Sequence, residues 1–106
     1  VIKILPVGYF LASKWEAFKN RGDDPRMSHD FEDIIYIIDN RSNILDDIVQ
    51  ADIEVQSFLK GMSDDILSHY SLNEIIECHL NPLVASERRD IVIENLKQIN
   101  GLTPKK

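Results

Sequence analysis

A bundle of five to six helices with one short strand at its N-terminus is the fold that this 106-residue sequence predicts. Three observations carry the prediction. Apolar residues recur at spacings of three and four through most of the chain, the period of a helix with one buried stripe. Helix start and stop residues punctuate those stretches. Ser28, Asp52 and Ser86 stand where N-caps belong, and Gly22, Asn81-Pro82 and Asn100-Gly101 stand where helices end. Val1-Ile2-Lys3-Ile4-Leu5, by contrast, is a short run rich in β-branched residues and reads as a strand.

Pro6 suits a first helical turn, and the first helix runs to about Arg21, where Gly22 stops it. Residues 22–27, Gly-Asp-Asp-Pro-Arg-Met, have loop composition. Ser28 caps a second helix, whose positive end is favoured by Asp30 and Glu32. That helix buries Phe31, Ile34, Ile35 and Ile38 and ends near Asn40. Asn43 to Gln50 is a short third helix. Asp52 caps a longer fourth, with Ile53, Phe58, Leu59, Met62, Ile66 and Leu67 at its apolar positions. Ser71 to Leu80 is a further short helix. The last, capped by Ser86, turns Ile91, Val92, Leu96 and Ile99 inward, and Thr103 to Lys106 is a tail.

A chain of this length forms one domain with a modest core. Its 43% hydrophobic and 28% charged residues are ordinary globular usage. A net charge of −6 argues against a broad nucleic-acid surface, which needs clustered Lys and Arg. The single cysteine, Cys78, fits a reducing cytoplasm. No apolar run approaches the roughly 20 residues of a membrane span.

The feature that asks for chemistry is Lys14. Phe10, Leu11, Ala17 and Phe18 lie at −4, −3, +3 and +4 from it, so its ammonium rises from an apolar stripe. Arg21 falls seven residues on, nearly above it. A lysine so placed either snorkels to water or takes an anionic partner. Asp30 and Asp33, in the opening turns of the next helix, are the partners at hand, and they equally serve that helix's dipole. Arg21 also suits the negative end of its own helix, and Lys19 points to solvent. Lys and Arg on one helix, with acids opening the next, make half of a phosphate-and-metal site. His29-Asp30 shares a dipeptide with metal phosphohydrolases, but nothing fixes the spacing of His69 and His79 as further ligands. Cys78 and His79 point about 100° apart on a helix, which opposes a nucleophile–base dyad and leaves Cys78 as a small core residue. The pairs Asp23-Asp24, Asp46-Asp47 and Asp64-Asp65 read as solvated charge.

The run from Tyr9 to Gly22 (YFLASKWEAFKNRG), then Ser28 to Ile35 (SHDFEDII), then Asp39-Asn40-Arg41, resembles a bacterial family of nucleotidyltransferase-like proteins grouped with the AbiEii toxins of abortive-infection systems. Members commonly read PYFLATKLEAFKGRG, SHDLEDI and DGR at these places. The resemblance covers Val1 to about Ile48, and beyond Val49 it rests on helical character alone. It implies that Lys14 meets nucleotide phosphate with Arg21 beside it, and that Asp30 and Asp33 are the catalytic carboxylates contributed here. It further implies magnesium and a nucleoside triphosphate as cofactors of the full-length protein. The family's metal-binding carboxylates sit upstream, on a small mixed sheet opening with Gly-Gly or Gly-Ser. No Gly-Gly, Gly-Ser or Asp-x-Asp occurs here, and the chain begins without Met in what reads as a strand. The expectation is therefore the C-terminal helical part of a longer protein, its strand left over from an α+β nucleotidyltransferase fold. Alone it is expected to be inactive and to need no cofactor. Its expected partners are the upstream catalytic region and a second copy paired through the edge of Val1 to Leu5. The alternative is a helical interaction module, a homodimer or a toxin–antitoxin-like partner, without catalysis.

Overall fold

Six α-helices account for most of the computed structural model, which describes residues 6–41 and 43–102. They are α1 (Val7–Arg21), α2 (His29–Asn40), α3 (Ile44–Val49), α4 (Ile53–Leu67), α5 (Leu72–Glu77) and α6 (Ala85–Asn100), with a single 3₁₀ turn at Pro25–Met27. The described residues contain no strand, and the strand expected at Val1 to Leu5 lies outside them.

Helix α1 ends as its sequence requires. Gly22 takes φ 66°, a left-handed position that only glycine adopts without cost, and its N–H donates to the Phe18 carbonyl. At the other end Gly8 lies under the α3–α4 junction, where an added Cβ would come 3.1 Å from that of Ala51. Ser28 caps α2, its Oγ accepting from the Phe31 N–H at 3.1 Å. The far end of α2 is closed by α6: Arg88 donates to the Asp39 carboxylate and carbonyl, both at 2.7 Å, and Asn95 donates to the Ile38 carbonyl at 3.0 Å. Gln56, itself buried, closes α3 through the Val49 and Ala51 carbonyls.

The core lies where α1, α2, α4 and α6 meet, with α3 and α5 covering its ends. Leu11, Phe31, Ile34, Ile35, Ile38, Leu59, Met62, Val92, Leu96 and Ile99 are buried in it. Burial of side chains of this size is worth about 1.5–3 kcal/mol each before entropy is counted.

Several local expectations need correction. Phe58 and Ile91 are exposed, because the buried stripes run through Leu59, Met62 and Ile66 and through Val92, Leu96 and Ile99, about 100° round each helix. Ser86 is not a cap. The Asn81 side chain accepts from the Leu83 N–H and folds residues 81–84 into a turn that starts α6 at Ala85. Asp52 precedes α4 without a side-chain cap bond, and Gly101 ends α6 in right-handed conformation. Cys78 is exposed rather than in the core.

Candidate functional site

Helices α1 and α2 run antiparallel, so Lys14 meets Asp33 while Arg21, further along α1, meets the earlier Asp30. Nζ of Lys14 is 2.9 Å from Oδ2 of Asp33 and 3.7 Å from Oδ1 of Asp30, and Nε of Arg21 is 3.5 Å from Oδ2 of Asp30. All four residues singled out in the sequence thus form one cluster of two cations and two carboxylates. Its members differ in access to water. The Asp30 side chain is 12% exposed, that of Lys14 29% and that of Arg21 67%. Asp30 anchors the cluster from beneath, and Arg21 leans over it from outside.

The Lys14 ammonium lies over the Phe10 ring, its Nζ 5.5 Å from the ring centroid. The hydrogen bond that the Lys14 ammonium donates to the Asp33 carboxylate holds it above its ordinary pKa, against the opposing effect of burial, with the charges of Asp33 and Asp30 adding to it. Lys14 is a protonated point charge fixed near the surface, able to receive an anionic oxygen on its open side. Lys19, by contrast, pairs with Asp65 at 3.5 Å over the Trp15 ring and takes no part.

The approach to α2 is fastened by α5 and the residue His79 beyond it, which composition alone did not reveal. Arg26 donates to Asp24 and, at 2.6 Å, to Glu74. Its guanidinium holds the Asp24 carboxyl down at about 2. The His79 ring donates from Nε2 to the Pro25 carbonyl at 2.8 Å and packs on Phe31. The sequence signal was Asp-Pro, a turn-initiating pair, here with the Asp24 carboxylate accepting from the Arg26 N–H.

The remaining motif residues are engaged elsewhere. His29 is 96% exposed beside Glu32, and His69 accepts from the Ser71 N–H and stacks on Tyr70. The three histidines thus have different partners. Asp39 and Arg41 are tied to Arg88 and Asp47. Partial desolvation of its sulfur, with the Glu74 charge adding to it, pushes the Cys78 thiol up although the residue is exposed, and its neighbour His79 is occupied by Pro25. Among the described residues no group of three or more His, Cys, Asp or Glu could hold a metal. Asp30 and Asp33 each face a cation. Compared with protein-family models, curated proteins and solved structures, the chain gives no match.

Proposed function

We propose that this chain is the helical part of a nucleotidyltransferase-like protein, in which Lys14 and Arg21 contact the phosphates of a nucleoside triphosphate. The observation that carries this reading is the Lys14–Asp33–Asp30–Arg21 cluster between α1 and α2. The negative charge on phosphoryl oxygens in the transition state is best stabilised by a cation held in advance, so that no reorganisation is required. Asp33 supplies that by holding the ammonium, and Asp30 by holding both cations from a shielded position. Arg21 offers a guanidinium fork suited to a second phosphate oxygen. The carboxylates that would carry magnesium belong, on this reading, to residues outside the chain, and the nucleotidyl acceptor is met there as well.

The test is nucleotidyl transfer by the longer protein that the resemblance implies, with and without Lys14→Met. Loss of transfer with an unchanged fold supports the reading. Undiminished transfer removes Lys14 from the site and favours a helical interaction module instead. Lys14→Arg is expected to restore little, because a fork does not replace a point charge in a fixed niche.

A further inference from the structure

On the side of α1 turned away from Lys14, a groove runs between α1 and α4. One stretch, of about 390 Å³, is lined by Ala12, Ser13, Glu16, Glu54, Val55 and Phe58. It continues past Glu16 and Phe58 into a second stretch of about 490 Å³ that reaches Trp15, Gly61 and the mutually paired Lys19 and Asp65. From Glu54 to Asp65 the groove follows α4 for roughly 17 Å, some three helical turns. Its floor is apolar, and the Phe58 side of it stands 39% exposed.

Two features point to an occupant. Glu16 and Glu54 flank the apolar floor, and among the described residues neither has an ion-pair partner. Gly61 sits in the interior of α4, where glycine weakens a helix, yet an added Cβ would meet nothing within 4 Å. Nothing inside the molecule requires Gly61, and its effect is to lower the groove wall toward the outside.

We infer that this groove docks an amphipathic helical segment of a partner protein, with apolar side chains on Phe58 and Val55 and lysine or arginine beside Glu16 and Glu54. The charge pattern selects this occupant. Nucleic acid is repelled by the two carboxylates, and a second copy would bring the same acidic rim to the groove, its Lys19 already paired with Asp65. The groove stands about half a turn of helix away from Lys14, since Glu16 follows it by two residues at roughly 100° each. The inference is independent of the phosphate reading.

The probe is a roughly 15-residue helical peptide of leucine and lysine, three to four turns long, with its leucine–glutamate counterpart as control. Trp15 is the only tryptophan of the chain, so its fluorescence reports on the groove. The expected result is a saturable change in Trp15 emission, with amide shifts confined to the groove around Ser13, Glu16, Val55, Phe58 and Gly61. Binding weakens by about tenfold or more in Phe58→Ala and in Gly61→Leu. It loses most of its salt dependence in the Glu16→Gln/Glu54→Gln double variant. Lys14→Met leaves it unchanged. Phe58 and Gly61 are both exposed, and thermal melts check that each variant folds. Equal binding of the leucine–glutamate peptide, shifts spread beyond the groove, or full binding by both Phe58→Ala and Gly61→Leu overturns the inference. Self-association of the chain through these residues overturns it too, by making a second copy the occupant.

Discussion

Lys14 is partly exposed and partnered at its head, and both facts bear on how it responds to change. A half-exposed pair such as Lys14–Asp33 contributes little, so a double-mutant cycle of Lys14→Met and Asp33→Asn is expected to give a coupling below about 1 kcal/mol. Asp30→Asn is expected to cost more than Asp33→Asn in urea denaturation, because Asp30 is shielded from water and lies near both cations. Part of that cost should vanish in the Lys14→Met background. The pH dependence has a definite sign. The Lys14 ammonium is raised in the fold, so its contribution is complete below the ordinary lysine value and is lost as pH climbs through the folded one. Thermal melts across the alkaline range should show that loss in the parent chain and not in Lys14→Met. Asp24 behaves in the opposite sense. Held at about 2 by Arg26, its contribution is present above the unfolded carboxyl value and is lost as pH falls toward 2. A carboxyl NMR titration should place the Asp24 midpoint at about 2, and a midpoint near the ordinary carboxyl value would mean that Arg26 does not hold it in solution.

At the scale of elements, Ser28 and Gly61 make contrasting cases. Ser28→Ala removes the hydroxyl that accepts from the Phe31 N–H and is expected to cost about 1 kcal/mol. Gly61→Ala should stabilise by about 0.5–1 kcal/mol, since the helix interior has room for the methyl group. Urea denaturation measures both. Ser28 was legible in the sequence because a cap is a local device, set by one side chain and the backbone three residues on. The Lys14 pairing was legible for a related reason: helical spacing placed the lysine in a stripe, and two acids opened the next helix. Phe58 and Ile91 were not legible as exposed. An apolar residue beside a stripe satisfies the same periodicity whether or not another helix covers it. Ser86 misled because the Asn81 turn starts α6 earlier than the first strong capping residue, and Cys78 because chain position does not reveal which side of a short helix is left open.

For the molecule as a whole, α1 is shared between two surfaces. Its Lys14 edge, facing α2, carries the charge cluster, and its Glu16 edge, facing α4, borders the apolar groove. The last described residue is tied in as well, Lys60 donating to the Leu102 carbonyl at 2.9 Å, so both edges rest on a closed helical frame. The frame was predicted from periodicity, whereas the groove emerged only from how α1 and α4 meet. The most direct measurement of the central claim is a titration of this chain with ATP, CTP, GTP and UTP, following the Lys14 side chain and the α1 and α2 amides by NMR. Because the proposal assigns the magnesium carboxylates to residues outside the chain, binding is expected in the millimolar range, about 4 kcal/mol. The shifts should be confined to Lys14, Arg21 and the first turn of α2, and Lys14→Met should abolish them without altering the fold. Triphosphates that leave Lys14 unmoved, or that bind at micromolar concentration with Lys14→Met indifferent, would contradict the account.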